Sequence, residues 1–300
     1  LEREYILYIP ESYSGDNSVP LVLNLHGYTS NAGEQMIYSN FLEISDTEGF
    51  LLVHPMGTTN ELNQPFWNSW ETEGVDDIGF LSSLIDFLGQ EYNIDLNRVY
   101  SMGMSNGGFM SYTLACELSD KIAAIASVTG SMYMDQYLVC DCEHQMPVMQ
   151  IHGTTDITVP YFGSPTVESI DDVVAYWASF NQCNENPIFF DLPDLNTMDL
   201  CWVEHYIYEN GTNGASVELY KVINGGHTWP GAYIPLPGVN TNQDFSASQK
   251  IWEFFAKYDI NGLIDNTDLY EESKPKEIIF ILDILGRKSI KKEGFNIEIY

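Results

Sequence analysis

The stretch from Gly103 to Gly107 most constrains what this chain folds into. It reads Gly-Met-Ser-Asn-Gly with Ser105 at its centre, and it lies between an apolar run at 98–102 and a helix-like run at 108–118. Such a serine is typical of a tight strand-to-helix turn, because glycines leave room for strained backbone and the hydroxyl is held out at the sheet edge. The pentapeptide alone recurs by chance, so the flanking patterns make it informative. The sequence predicts that Ser105 is a nucleophile.

A nucleophilic serine needs a histidine base, and in hydrolases built on this turn the histidine comes last along the chain, after an acidic residue. Four of the six histidines follow Ser105. We favour His227, because it follows two glycines at the end of a strand pattern, and catalytic residues collect at the carboxyl ends of strands in open α/β sheets. We interpret His144, His152 and His205 as structural.

The acidic partner should lie between the serine and the histidine, on a loop that follows another strand. Asp156 fits best, because it comes just after the apolar run at 148–151. Asp135, Asp171 and Asp172 remain alternatives. The last two open a helical pattern, where acidic residues ordinarily cap the helix.

Two backbone N–H groups should face the oxyanion of the tetrahedral intermediate. Asn106, directly after the serine, is expected to supply one. The second should come from the loop after the early apolar strand at 21–25. Tyr28 is the expected donor, with its neighbour Thr29 left open, and His26 is expected to support this loop by hydrogen bonding.

Five motifs that occur in one order link the chain to a known family. They are Leu25-His26-Gly27, Val75–Phe80, Gly103–Gly108, His152–Asp156 and Gly225–Gly231. In this combination the chain resembles, over residues 3–258, the secreted esterases related to polyhydroxybutyrate depolymerases and feruloyl esterases. The resemblance implies an α/β-hydrolase fold and hydrolysis of carboxylic esters without metal or cofactor, with Ser105, Asp156 and His227 as a triad. It leaves the acyl group open, because the family spans aliphatic polyesters, feruloylated and acetylated polysaccharides, and small esters.

Alternating strand and helix patterns predict a mainly parallel central sheet with helices on both faces. The strand patterns lie at 5–9, 19–25, 50–54, 99–104, 123–128, 147–151 and 217–223. The helical patterns lie at 76–92, 107–118, 170–181 and 247–258.

The net charge of the chain limits the classes of partner that it can bind. The chain has 43 acidic and 12 basic residues, a net charge of −31, and a body this acidic repels nucleic acid and anionic membranes. No apolar run approaches the roughly 18 to 20 residues of a membrane span. The partner that the resemblance to esterases implies is an ester substrate, small or polymer-linked. Two explanations of the negative net charge stay open. One is adaptation to high salt, where screening reduces the repulsion between like charges, and the other is ordinary solubility.

The catalytic domain is predicted to occupy residues 1–260, followed by a polar linker at 261–276. Residues 277–300 hold two strand patterns around a Gly-Arg turn, a short C-terminal β extension. This segment resembles the start of the sorting domains of the Bacteroidetes type IX secretion system. The resemblance implies a secreted or cell-surface protein with the secretion machinery as a partner, and the start at Leu1 without methionine agrees with a removed leader. A plain β-hairpin packed on the body is the alternative.

Aromatic residues cluster on predicted loops above the sheet. Trp67 and Trp70 lie in a loop at 57–74, and Trp229 lies two residues beyond His227. Aromatic faces in such places suit stacking on sugar or phenyl rings. We expect Trp70 and Trp229 to contact substrate and regard Trp67 as more typical of the core.

The chain has five cysteines, an odd number that leaves at least one thiol free. We expect a disulfide between Cys116 and either Cys140 or Cys142, and a second between Cys183 and Cys201. No C-x-x-C or H-E-x-x-H motif is present, so no metal site is expected.

A serine peptidase of the same fold would use the same triad, and the sequence leaves that alternative open. A non-catalytic binding module on this scaffold would be expected to have lost a triad residue. All three candidates are present.

Overall fold

A ten-stranded sheet forms the centre of the molecule. The computed structural model describes residues 3–69, 74–234, 238–264 and 297–299. The strands are β1 (Tyr5–Tyr8), β2 (Val19–Leu25), β3 (Leu51–Pro55), β4 (Thr58–Thr59), β5 (Pro65–Phe66), β6 (Ile94–Met104), β7 (Ala124–Val128), β8 (Val148–Gly153), β9 (Ile188–Asp191), β10 (Trp202–Tyr208), β11 (Val217–Ile223), β12 (Tyr258–Asp259), β13 (Gly262–Leu263) and β14 (Ile297–Ile299). The helices are α1 (Ala32–Ser39), α2 (Leu42–Glu48), α3 (Asp77–Glu91), α4 (Asn106–Glu117), α5 (Gln136–Val139), α6 (Ile170–Phe180) and α7 (Ala247–Phe255), with one 3-10 turn at Thr212–Gly214.

Across the sheet the order is β14-β1-β3-β2-β6-β7-β8-β11-β10-β9. Strands β3, β2, β6, β7, β8 and β11 run parallel, whereas β1 is antiparallel to β3, and β10 is antiparallel to both β11 and β9. Parallel strands that are covered on both faces are near-continuous apolar runs, as in the buried 20–25 stretch of β2. The two small sheets pair β4 with β5 and β12 with β13.

Helices cover both faces of the sheet. In β2, Leu21 and Leu23 point into one buried cluster with residues of α3, α4 and α6, while Val22 points into a second cluster with residues of α7. Successive side chains of a strand point to opposite faces, which explains the division. The predicted mainly parallel sheet with helices on both faces is confirmed.

One of the two expected disulfides is present. Cys116 at the end of α4 is bonded to Cys140, which settles the choice that the sequence left open. The pairing of Cys183 with Cys201 is wrong, because both thiols are free. Cys183 packs against the cluster on one face of the sheet and Cys201 belongs to the cluster on the other, so the sheet separates them.

The region around residue 260 stays tied to the body. Gly262 and Leu263 form β13 against β12, and the N–H of Ile264 donates to the carbonyl of Lys257 at 2.8 Å. The start of the expected linker is therefore part of the folded domain. Most of the predicted C-terminal extension lies outside the described residues, but its last strand, β14, pairs antiparallel with β1. Within the described ranges, no helix combines the length and apolarity that crossing a bilayer requires.

Candidate active site

Ser105 occupies the single-residue turn between β6 and α4. Its φ of 53° and ψ of −118° lie in a region that non-glycine residues rarely adopt. Its N–H donates to the carbonyl of Val128 at 2.8 Å. The flanking glycines permit the turn, since a Cβ on Gly103 would collide with the backbone of Gly107, and a Cβ on Gly107 would collide with the backbone of Leu25. The predicted serine turn is present and strained.

Asp156 and His227 follow neighbouring parallel strands, β8 and β11, at the same sheet edge as Ser105. The Nδ1 of His227 lies 2.7 Å from Oδ2 of Asp156. The other carboxylate oxygen, Oδ1, accepts from the N–H groups of Thr158 at 2.8 Å and Val159 at 2.9 Å. The Asp156 side chain is fully buried, whereas that of His227 is 18% exposed. The acid is thus held on both oxygens, while the imidazole reaches solvent.

The charge state of Asp156 follows from these contacts. Burial by itself would raise the pKa of this carboxyl, but the nearby imidazoles of His152 and His227, the latter through a hydrogen bond, outweigh it and hold the pKa well below its usual range. Asp156 is therefore a carboxylate at neutral pH and an acceptor for the histidine N–H.

Backbone contacts join the two loops that carry these residues. The N–H of Thr154 donates to the carbonyl of Val222 at 2.9 Å, and Oγ1 of Thr155 donates to that of Gly225 at 2.9 Å. The close approach requires a glycine at position 153, since a Cβ on Gly153 would collide with the backbone of Gly225. The distance between the acid and the histidine is thus fixed by the main chain.

The oxyanion candidates differ in how their N–H groups are used. The N–H of Thr29 donates to the carbonyl of Pro65 at 2.8 Å, so it is occupied within the loop. This leaves Tyr28 as the favoured donor of the two. Asn106 opens α4, and N–H groups in a first helical turn lack intrahelical acceptors and carry the positive end of the helix dipole.

His26 supports this loop, as the sequence predicts. It is fully buried, and its Nε2 accepts the N–H of Gly57 at 2.9 Å. Its Nδ1–H is then the donor to the carbonyl of Gly27 at 2.8 Å. Burial lowers the pKa of His26, which agrees with a neutral imidazole that both donates and accepts.

The structure corrects the expectation for Trp229. Its side chain is only 1% exposed, and its indole N–H donates to the hydroxyl of Ser248 at 3.0 Å. Trp229 therefore belongs to the core beneath the histidine loop and not to a substrate-contacting surface. Trp67 is also 1% exposed, as expected for a core residue. Trp70 lies outside the described residues.

The alternative acidic residues have other partners. Asp171 accepts from the hydroxyl of Tyr161 at 2.5 Å, and Asp172 accepts from the hydroxyl of Ser169, the residue that caps α6. Asp135 occupies the N-cap position of α5. None of these three is hydrogen-bonded to His227 in the part of the chain that the structure describes.

Two of the other histidines have structural settings. His144 lies before β8, with its ring nitrogens 2.7 and 3.1 Å from the carbonyls of Gln145 and Ile122. His205 on β10 lies 3.0 Å from Glu218 and stacks on Tyr220 with ring centroids 3.9 Å apart. Over the described ranges, no three His, Cys, Asp or Glu side chains are grouped to hold a metal ion.

Comparison with known proteins assigns the chain to a family. Residues 3–181, more than half of the chain, match the model of the esterase PHB depolymerase family. The chain belongs to this family. It is thus an enzyme of an esterase family, with an α/β-hydrolase fold. His227 lies beyond the matched region, so its role is inferred from its contact with Asp156.

Two curated relatives are longer than this chain. The chain is 31% identical over 159 residues to the bifunctional acetylxylan esterase/xylanase XynS20E of Neocallimastix patriciarum, covering 53% of this chain and 22% of that protein. It is 26% identical over 239 residues to feruloyl esterase B of Piromyces equi, covering 75% of this chain and 42% of that protein. The matches thus span less than half the length of these two relatives.

Solved structures support the fold. An acetyl xylan esterase from Aspergillus awamori superposes with a TM-score of 0.62 at 14% identity, covering 84% of this chain and 93% of that one. Esterase PE8 superposes with a TM-score of 0.52 at 15% identity, covering 85% and 100%.

Proposed function

We propose that this chain hydrolyses carboxylic esters through a triad of Ser105, His227 and Asp156. The observation that carries the proposal is the 2.7 Å contact between His227 Nδ1 and the buried Asp156 carboxylate, at the sheet edge where the strained Ser105 turn lies. An anionic acceptor fixes the proton on Nδ1, because the carboxylate needs a donor. Nε2 is then unprotonated and serves as the base for the serine hydroxyl.

In the first step Ser105 Oγ attacks the ester carbonyl carbon while its proton passes to Nε2 of His227. The carbonyl oxygen becomes an oxyanion, which accepts hydrogen bonds from the backbone N–H groups of Tyr28 and Asn106. Collapse of the tetrahedral intermediate breaks the bond to the alcohol, which takes the proton from His227 and leaves an acyl-serine. Water then attacks the acyl-serine with His227 again as base, and the acid product leaves with Ser105 restored.

The substrate class we propose is a feruloyl or acetyl ester on plant polysaccharide, or a polyhydroxyalkanoate ester. The names of the relatives support the first group, since they are called acetylxylan esterase and feruloyl esterase, and the family description names PHB depolymerase. A serine peptidase is the competing function, because the same triad cleaves amides.

A substrate panel tests both levels of the proposal. Purified protein is assayed on p-nitrophenyl acetate, methyl ferulate, acetylated xylan, 3-hydroxybutyrate oligomers and peptide anilides. We expect ester turnover without peptide cleavage, and Ser105→Ala should retain less than about one part in a thousand of the parent kcat. Peptide cleavage faster than ester cleavage would support the peptidase function. Retained activity in Ser105→Ala would contradict the proposed triad.

We propose that the C-terminal segment, residues 277–300, serves secretion, in keeping with its resemblance to sorting domains. Every proposed catalytic group lies at the carboxyl edge of the central strands, whereas β14 adds to the outer edge beside β1. A chain shortened before residue 277 should therefore keep its ester hydrolysis while failing to leave the native host. Loss of activity through unfolding, seen as a large fall in Tm, would assign the segment to the folded core.

A further inference from the structure

A second histidine lies against the far side of the catalytic carboxylate. His152, on β8, is fully buried. Its Nε2 lies 3.4 Å from Oδ2 of Asp156, the same oxygen that faces His227 Nδ1. Its nearer partner is the carbonyl of Val159, at 2.8 Å. One carboxylate oxygen is thus flanked by two imidazoles, of which only His227 reaches solvent.

The hydrogen-bond network behind His152 fixes which of its nitrogens carries the proton. Gln150 accepts the phenol O–H of Tyr112 on its Oε1 at 2.6 Å, and its Nε2 lies 2.9 Å from the carbonyl of Gly130. The reverse amide orientation would set two oxygens against each other, so Nε2 faces Gly130. The same Nε2 lies 3.0 Å from Nδ1 of His152, which must accept. A neutral imidazole that accepts on Nδ1 carries its proton on Nε2.

The Nε2–H of His152 therefore points at the loop that carries the acid. It donates to the carbonyl of Val159, and the N–H of the same residue donates to Oδ1 of Asp156 at 2.9 Å. His152 thus restrains the carboxylate in two ways, directly through Oδ2 and through the backbone that binds Oδ1. The contribution of His152 to the low pKa of Asp156 agrees with this geometry.

We propose that His152 is a positioning residue for the proton transfer, holding the Asp156 carboxylate in the rotamer that orients His227. It touches neither the substrate nor the reacting atoms. Tyr112, Gln150 and His152 form a buried row in which each side chain donates to the next, and the row ends at the carbonyl of Val159 beside the carboxylate. The role rests on the proposed triad, since it has meaning only if Asp156 orients the base.

Two polar substitutions of His152 distinguish the effect of losing its N–H donor from the effect of losing the imidazole ring. His152→Gln keeps an N–H that reaches toward Val159 and Asp156, whereas His152→Asn keeps an acceptor for Gln150 but falls short of the acid loop. With p-nitrophenyl acetate we expect His152→Asn to lose up to about 10²-fold in kcat with KM little changed, as for a catalytic group that is slightly misplaced. His152→Gln should recover at least about tenfold of this loss.

His144→Phe is the matched control, because His144 also contacts two backbone carbonyls but lies before β8, at the opposite edge of the sheet. It should leave kcat and KM unchanged. Tm is measured for all variants, and proton NMR follows the strongly hydrogen-bonded Nδ1 proton of His227. That resonance should shift or broaden in His152→Asn and recover in His152→Gln.

Equal kcat values in the Asn and Gln variants would overturn the proposal, since the presence of the donor would then make no difference. Parent-like kcat in His152→Asn would overturn it as well. Asp156→Asn, assayed alongside, distinguishes this failure from failure of the proposed function. If that variant loses activity while both His152 variants keep it, the triad stands without the positioning role; if it retains activity, the triad itself is wrong.

Discussion

Asn106 holds Trp67 by two hydrogen bonds that run in opposite directions. Its Oδ1 accepts the backbone N–H of Trp67 at 2.6 Å, and its Nδ2 donates to the backbone carbonyl of Trp67 at 3.0 Å. The indole N–H of Trp67 in turn donates to the carbonyl of His26 at 3.0 Å. The loop that contains Trp67 therefore ties the residue after the serine to the strand end that precedes Tyr28, the two places where the oxyanion donors are proposed.

Asn106→Ala tests this link, because it keeps the backbone N–H and removes the two side-chain bonds to Trp67, together with a longer contact of 3.4 Å to the hydroxyl of Ser69. We expect kcat to fall by up to about 10²-fold, as both donors lose a fixed spacing, with a smaller effect on KM. Stopped-flow or steady-state assays with p-nitrophenyl acetate give both constants. Asn97→Ala, at an exposed position of β6, is the control. A parent-like kcat in Asn106→Ala would mean that the spacing does not depend on Trp67.

Asp156→Asn should leave the fold in place and lower kcat by about 10⁴-fold, the size found when the acid of a Ser-His-Asp triad becomes an amide. The reason is that an amide no longer dictates which His227 nitrogen is protonated. Asp171→Asn provides the comparison, since that carboxylate serves Tyr161. Should Asp171→Asn cause the larger loss of kcat, the acid would be Asp171.

The contacts of Glu218 predict that the free energy of unfolding depends on pH. Burial alone would raise its pKa, but hydrogen bonds from His205 and Lys257, each at 3.0 Å, outweigh it and lower the pKa below the usual value. A lowered folded-state pKa means that the stabilisation is complete above the unfolded value and is lost as pH falls through the folded one. Glu218→Gln should therefore cost about 1 to 3 kcal/mol of unfolding free energy at pH 7, and less as pH falls below about 4.

Urea unfolding at pH 7 and at acidic pH measures this difference. Glu253→Gln is the matched control, because Glu253 pairs with Lys250 at 2.6 Å while the side chains of Lys250 and Glu253 are 37% and 45% exposed. Exposed pairs contribute about 0 to 1 kcal/mol, so this variant should change little at either pH. A Glu218 effect that is the same at both values of pH would contradict the assigned charge state.

Removing the disulfide should cost stability and spare catalysis. Cys116 and Cys140 are 24 residues apart, and a loop of that length corresponds to about 3 kcal/mol in the chain-entropy account. Cys116 lies in the last turn of α4, whereas Ser105 comes just before the first residue of that helix. The two residues are therefore about 16 Å apart along the helix axis. The double variant Cys116→Ser/Cys140→Ser should thus unfold at lower urea with kcat within about twofold of the parent. Cys142→Ser, which removes a free thiol, controls for the substitution.

The central part of the fold was predictable because its signals are local. The apolar run of β2 predicts a buried strand. The glycines around Ser105 predict a strained turn. Strand β9 is not predicted, because its apolar run covers only three residues, Ile188–Phe190, and all four of its residues are exposed at the end of the sheet. Helix α1 was missed because it has only eight residues.

The errors share another cause, which is contact across the sequence. Trp229 looked like a loop aromatic because its partner, Ser248, lies 19 residues away on another element. Cys183 and Cys201 looked close along the chain, and only the sheet between them shows that they cannot pair. The proposed role of His152 is likewise not visible in the sequence, because the orientation of Gln150 depends on Tyr112 and Gly130, which lie 38 and 20 residues away.

The backbone contact between Gly153 and Gly225 makes the acid loop and the histidine loop one mechanical unit. A displacement of one loop is therefore expected to move the other with it, which keeps Asp156 and His227 at their mutual distance. The loop that joins β4 and β5 contacts neither glycine loop through a hydrogen bond between described residues. In that loop the side chains of Asn60 and Gln64 instead hydrogen-bond the hydroxyl of Tyr28, so a change in residues 60–64 should affect the proposed oxyanion donor while the proton-transfer pair keeps its spacing.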